Sequence, residues 1–304
     1  MIREIGFPSS EAAKKIESFL KKRFPLGYVK KLFRKKAVRL NGERAKPDTL
    51  ARPGDRIQLY LPWEKQSQPL TSWGPPPSEL QILFENQDMV LLNKPGGLAV
   101  HEGKEVLKRR SLIGILENRY REHGIVPKLV HRLDKDTSGV LLIAKRDDFA
   151  ARMKGLFEKG EVDKQYLCLV VGLLPSQQGQ IDFPLPGRGG HTVGALTRFK
   201  VLTRFSDTTL VRVKLETGRM HQIRLHFARF GHPVVMDNQH GDFTFNKSFR
   251  KRYGLKRQFI HAAELDFEYK GTRRTWTAPL AADLEATIEA LKVGSRYRRI
   301  ERLA

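Results

Sequence analysis

A single cysteine, Cys168, occurs among 304 residues. One thiol excludes an internal disulfide and a cysteine-rich zinc site. Long apolar runs are missing as well: none approaches the ~20 residues that a membrane-spanning helix needs. The opening MIREIGFPSSEAAKK lacks a basic start followed by an apolar stretch, so no secretory signal is expected. Together these absences predict a soluble, cytoplasmic protein. The nine histidines form no HExxH pattern. The glycine-rich stretches KPGG at 94–97 and GRGG at 187–190 fit neither the Walker nor the dinucleotide pattern, and no Gly-x-Ser-x-Gly elbow occurs. No metal and no nucleotide cofactor are therefore expected.

Positive charge is what the chain has in excess. Fifty-six Lys and Arg against 33 Asp and Glu give a formal +23. Each phosphate that a basic surface neutralises releases condensed counterions, so this balance points to a polyanionic partner. A basic helix with a Trp/Leu face, which would favour a membrane surface, is not visible. Nucleic acid is the expected partner, and 40% hydrophobic residues are enough for a real core.

The chain reads as two parts. Residues 1–65 hold 17 Lys/Arg against 7 Asp/Glu. Ser9 or Ser10 is placed to cap a first helix with Ala12, Ile16, Phe19 and Leu20 on one face, ended by Pro25. A second helix over 26–36 turns Val29, Leu32 and Phe33 inward and Lys30, Lys31, Arg34 and Lys35 outward. VRLNGERA is a hairpin signal, because Asn41-Gly42 accepts the positive φ angles of a type I′ turn. Ile57, Leu59 and Leu61 alternate in a further strand. The Pro-rich stretch 66–78 reads as a semi-rigid linker. A larger domain follows over 79–293, with a basic tail at 294–304. Its strands and helices mix without strict βαβ alternation, so an α+β fold is expected.

YVKKLFRKKAVRLNGERAKPDTLARPGDRIQL resembles the alpha-L RNA-binding module. The resemblance implies that Lys30, Lys31, Arg34, Lys35 and Arg39 contact RNA.

The segment VHRLDKDTSGVLLIAK at 130–145 places two carboxylates, Asp134 and Asp136, at the mouth of an apolar strand. A turn residue before a buried strand projects into a cleft while the strand holds it rigid. Turn hydrogen bonding is the other reading of such aspartates, and it is taken for Asp136. For Asp134 the residues alone leave both readings open.

HRLDKDTSGVLLIAK resembles the signature of the RluA-type family of RNA pseudouridine synthases. Further matches follow in the family's order: NKPGGLAVH at 93–101, DKQYLCLV at 163–170, TGRMHQIRLHFARFGHPV at 217–234 and FIHAAEL at 259–265. With the alpha-L module in front, the architecture is similar to members that modify large-subunit ribosomal RNA. The resemblance implies a mixed, largely antiparallel sheet flanked by helices, and an isomerisation that needs no cofactor. It implies Asp134 as nucleophile or base at the ribose. Arg224 is then the cation keeping it charged, and Tyr166 stacks on the freed uracil. Arg132 fills the space that a flipped base vacates. His131, Arg219, His221 and Gln222 are the further substrate-binding candidates, with His131 also readable as structural. A monomer is expected. Two other classes share some of these features. An RNA N-glycosylase would use a carboxylate at C1′ but also a second one to activate water. A silent RNA-binding or ribosome-assembly protein would need only the basic front part. The chain departs from the family at GHPVVMDNQHGD, where Met236 and His240 interrupt the usual pattern.

Overall fold

In the computed structural model the chain divides into two units, Met1–Pro75 and Pro76–Ala304. All residues are described except 1, 9–10, 22–28, 30–31, 61–79, 103–106, 188–190 and 302–304. The expected linker, Lys30 and Lys31 fall outside the described residues, as do the proposed serine caps.

The front unit has a four-stranded antiparallel sheet in the order Ile2–Gly6, Arg56–Tyr60, Val38–Leu40, Glu43–Arg44. Asn41 (φ 50°) and Gly42 (φ 91°) make the turn that the sequence predicted. Asn41 also donates to Asp55 (2.8 Å) and accepts the backbone N–H of Arg56 (2.8 Å), tying the N-G turn to the P-G-D turn. The first helix starts later than predicted. It spans Ile16–Lys21, and Lys14–Lys15 before it pairs with Leu50–Ala51. Its first N–H groups are satisfied by the carbonyls of Thr49 (2.8 Å) and Pro47 (3.1 Å), so tertiary backbone bonds serve where a cap was expected. Arg34 and Lys35 are exposed, and Arg39 lies 4.3 Å from the centre of the Tyr60 ring.

The larger unit is built on a ten-stranded sheet. Its strands are β1 (Gln81–Glu85), β2 (Met89–Lys94), β3 (Ser138–Ala144), β4 (Asp163–Val171) and β5 (Gln178–Ile181). Then come β6 (Thr197–Arg204), β7 (Thr208–Leu215), β8 (Ile260–Tyr269) and β9 (Thr272–Thr277). The order is β5-β6-β7-β4-β8-β3-β2-β1, with β9 beside β8 and the short Lys128–Leu129 beside β3. Every pairing is antiparallel except β3 with β8, which run parallel through Ser138↔His261 and Gly139↔Ala262. The fold is α+β, as expected.

Strand β3 is buried on both faces, which explains its unbroken apolar run. Leu141 and Ile143 face one core, shared with helices α1 (Leu112–Tyr120) and, through Ile223 and Phe227, α3 (Gln222–Arg229). Val140, Leu142 and Ala144 face another, shared with α2 (Asp147–Lys159). Each such Leu or Ile contributes about 1.5–3 kcal/mol relative to an exposed one. A further core joins α4 (Phe243–Tyr253) to α5 (Ala282–Glu301) through Phe249, Leu284 and Leu291. Helix α4 was not predicted, although Asp242 caps it by accepting from Phe245 (2.9 Å) and Gly254 (φ 72°) ends it. Among the described residues no helix is long and apolar enough to cross a membrane.

Gly139 makes the β3–β8 junction possible. Its φ is +113°, and a Cβ there would lie 2.1 Å from the carbonyl oxygen of Ala262. Gly139→Ala is therefore expected to cost at least about 1–3 kcal/mol from the backbone angle alone, with the backbone clash added. A thermal melt checks this; an unchanged melting temperature would mean that the junction yields easily.

Candidate active site

Asp134 stands in the turn that feeds β3, and three carbonyls of that turn are held. Asp134 O accepts from Thr137 N (3.1 Å), so backbone rather than an aspartate side chain closes it. Lys135 O accepts from Gly97 N (2.8 Å) and from Lys94 Nζ (2.9 Å). Asp136 O accepts from Arg257 Nη1 (2.8 Å).

Lys94 of the NKPGG stretch is fully buried and also donates to the carbonyls of Pro95 (2.8 Å) and Leu98 (2.9 Å). Burial, and next Arg257, pull its pKa down to about 7. Three carbonyl acceptors nevertheless match the three N–H bonds of an ammonium, so the charged form fits the loop. Arg257 forks onto Asp283 of α5 through Nε and Nη2 (both 2.7 Å). It packs so closely over Gly96 that a Cβ there would lie 2.3 Å from Nε. Gln258 donates to Thr137 (2.9 Å). The KPGG loop, the turn at Asp134 and the start of α5 thus form one hydrogen-bonded assembly.

Arg224, on α3, reaches Asp134 from the other side. Its Nη1 donates to Asp134 Oδ2 (3.1 Å). The rest of the guanidinium is committed: Nε and Nη2 fork onto Asp237 (2.7 and 2.8 Å), and Nη2 also donates to Gln239 (2.8 Å). Burial opposes the charge of Arg224, but Asp237 and Asp134 outweigh it and raise its pKa. The sequence pointed to Arg224 as partner of Asp134 and missed Asp237, the principal one. Asp237 is completely buried and also accepts from the backbone N–H groups of Gln239 (2.8 Å) and His240 (3.1 Å). Asn246 of α4 pins the same loop, accepting from Met236 N (2.7 Å) and donating to Asp237 O (2.9 Å). The only signal for this was the aspartate in GHPVVMD, whose burial no local pattern reveals.

Tyr166 lies where β4 meets a bulge in β8. Gln165 pairs with Glu264 and Tyr166 with Ala262, so Ala263 is the extra residue that shifts the register. The ring borders the same cleft as Asp134. Burial, and next the Asp134 charge, push the phenol far above its usual range, so phenolate is scarce at neutral pH.

The cleft is open to solvent rather than enclosed. Arg132, Asp134, Tyr166, Arg219, His221 and Arg224 all border it. Arg132 is exposed and forms no ion pair among the described residues. Arg219 donates to Gly194 O (3.2 Å). His221 Nε2 stands 3.8 Å from Asp134 Oδ1.

Two candidates are committed to the scaffold. His131 turns away from the cleft: its ring stacks on Phe157 (4.7 Å) and Nε2 accepts from Leu142 N (2.9 Å). Burial, and next Lys164, hold its pKa at about 3, so it is a neutral support of β3. Gln222 borders the cleft, but its amide is spent on the scaffold. It accepts from Thr217 (2.8 Å) and Arg219 N (2.9 Å) and donates to Leu196 O and Thr197 (both 3.0 Å). Helix α3 begins at Gln222, directly after His221, which takes a left-handed conformation (φ 54°). Among the described residues no group of three or more His, Cys, Asp or Glu is arranged to hold a metal ion.

Both the sequence and the fold are shared with known proteins. The family described as RNA pseudouridylate synthase matches residues 88–229. The chain is 34% identical to the ribosomal large subunit pseudouridine synthase C of Salmonella typhi, over 96% of this chain and 97% of that protein. Identity to the protein of the same name from Escherichia coli (strain K12) is 33%, and to that from Vibrio cholerae 30%, with the same coverage. Among solved structures, human RNA pseudouridylate synthase domain containing 4 shares the fold. Its TM-score is 0.60 at 23% identity, over 70% of this chain and 93% of that one.

Proposed function

Because the chain belongs to the RluA-type family of RNA pseudouridine synthases, we propose that it isomerises uridines of large-subunit ribosomal RNA, with Asp134 acting at the ribose. The observation that carries the reading is the divided environment of Asp134. One oxygen is held by Arg224, the other faces the open cleft, and the side chain is 21% exposed. Asp237 absorbs most of the Arg224 charge, so the cation holds Asp134 without neutralising it.

The reaction breaks the N1–C1′ bond, turns the uracil over and rejoins it through C5. A target base in a stem must first leave its stack. Arg132, at the mouth of the cleft and free of ion pairs among the described residues, is suited to the vacated space. Asp134 then attacks C1′ or removes the C2′ proton; both routes need an ionised carboxylate at this place. Tyr166 supplies a face for the freed uracil. Its raised pKa supports stacking over a role as base. Hydrolysis is disfavoured, because Asp134 is the one carboxylate among the residues described around the cleft, and nearby Asp237 is buried on Arg224. The proposed groups meet within one chain, so a monomer would carry the whole site.

Ribosomal RNA is proposed from the names of the relatives and from the charge of +23. Unmodified large-subunit RNA, small-subunit RNA and transfer RNA are each incubated with the protein, and pseudouridine is mapped by carbodiimide-dependent stops of reverse transcription. New stops should appear in the large-subunit RNA alone. Equal modification of transfer RNA would overturn the choice of substrate.

We assign the front unit to RNA backbone binding. Changing Arg34, Lys35 and Arg39 to Gln should weaken binding and lower the slope of log K against log salt by about 0.7–0.9 for each phosphate that is no longer neutralised. A slope equal to that of the wild type would remove these residues from the interface.

A further inference from the structure

We propose that His221 is the base that removes the C5 proton in the last step of the isomerisation, and that His240 positions it. The proposal rests on the reading of Asp134 as the group acting at the sugar.

When C5 has bonded to C1′, that carbon carries both its original hydrogen and the new bond. The C5–H bond must break, its electron pair returning to the ring π system. N1, freed from the sugar, takes a proton in exchange from water. The proton from C5 therefore needs an acceptor in the cleft, and three side chains there compete. Tyr166 is a phenol whose pKa is pushed up, so it is a poor acceptor. Asp134 leaves the ribose as the new bond forms, but one oxygen stays on Arg224, the other lies 3.8 Å from His221, and an imidazole is ordinarily a stronger base than a carboxylate. His221 remains.

The geometry suits it. His221 borders the cleft, with Nε2 3.8 Å from the Asp134 oxygen that Arg224 leaves open. Its Nδ1 lies 3.3 Å from Nε2 of His240. With the Nδ1–H donating to His240, the Nε2 lone pair is left toward the cleft. The imidazolium formed on taking the proton would face the Asp134 carboxylate and keep its hydrogen bond to His240. The proton then passes to solvent, so nothing is consumed.

The backbone is equally committed. His221 is a non-glycine residue at φ 54° beginning α3, and its carbonyl accepts from Leu225 N (2.9 Å). Such positions persist only where the surroundings hold them. His240 lies on the loop secured by Asp237 and Asn246, in the stretch where the sequence departs from the family pattern. Asp134, Arg224, Asp237 and His240 are the charged or titratable groups around His221. Burial lowers its pKa most, Arg224 and His240 add to that, and Asp134 and Asp237 oppose it, leaving it below the ordinary histidine value and so neutral at pH 7. A neutral imidazole is ready to accept a proton there.

The test uses the full chain and RNA carrying 5-deuterated uridine at the target site. H221Q should lower kcat by about 10²–10⁴-fold. KM should change little, and a 5-deuterium isotope effect on kcat should appear or grow. Y166F should show no such effect. H240F should lose part of the rate, and H240Q, whose amide oxygen can accept the same Nδ1–H, should recover it. The contribution of His221 to the acid limb of the wild-type kcat profile should be absent in H221Q, leaving only that of the Asp134 carboxylate. A kcat for H221Q within about threefold of the wild type, or an isotope effect that appears in Y166F instead, would overturn the proposal. Pseudouridine formed by Asp134→Asn would overturn the underlying reading of Asp134 instead.

Discussion

Asp134→Asn should abolish pseudouridine formation, lowering the rate on the order of 10³-fold or more, while the fold and RNA binding persist. The amide keeps the size of the carboxylate, and its oxygen can still accept from Arg224, which stands 3.1 Å from Oδ2. The nitrogen would then face His221 and the cleft, where the wild type presents its second oxygen. An amide neither attacks C1′ usefully nor removes the C2′ proton. Folding should survive because Arg224 keeps its fork on Asp237 and the turn is held by its backbone carbonyls. The rate is read by single-turnover mapping, the binding by titration of the same RNA. Pseudouridine made at a rate near that of the wild type would remove Asp134 from the mechanism.

Asp237→Ala should be the most damaging change to stability, at about 3–5 kcal/mol, because it strips the main counter-charge from buried Arg224. Two backbone N–H groups, of Gln239 and His240, also lose their acceptor. Activity should fall in parallel, because Arg224 then has Asp134 as its remaining carboxylate partner in the site and will close on it. The acid dependence has a definite sign. Burial alone would raise the Asp237 pKa, but the Arg224 bonds and the two backbone N–H groups overcome it and hold it below the ordinary 3.8. Its contribution to stability is therefore complete above that value and lost as pH falls through the lower, folded one. Denaturant unfolding at pH 7 and at pH 3 should show a smaller loss between the two for Asp237→Ala than for the wild type. Equal losses would mean that Asp237 is not a linked group.

Both predictions concern a contact that local sequence could indicate only in part. The apolar run of β3 and the Asn41-Gly42 turn were legible because each depends on near neighbours in the chain. Helix α4 carried cap and stop residues, but its apolar residues face a core completed by α5. The first helix of the front unit began later than predicted because Thr49 and Pro47 supply its first acceptors. Asp134, Tyr166 and Arg224 were legible through family motifs rather than through residue chemistry, which left Asp134 undecided. Their meeting in one cleft spans 90 residues between Asp134 and Arg224.

By itself, then, the sequence determined the basic character of the protein, the apolar run of β3, the Asn41-Gly42 turn and the motif blocks that name the family. Tertiary structure decided what the polar groups do. It turned His131 into a support for β3, spent the Gln222 amide on the scaffold, and made Asp237 the principal partner of Arg224. It also brought His240 against His221 beside the open oxygen of Asp134. The physical reason is one of range. Backbone conformation and apolar periodicity are set by residues within a turn or two of one another. The fate of a buried charge depends on which donors a distant strand, loop or helix delivers, and on how much water they displace.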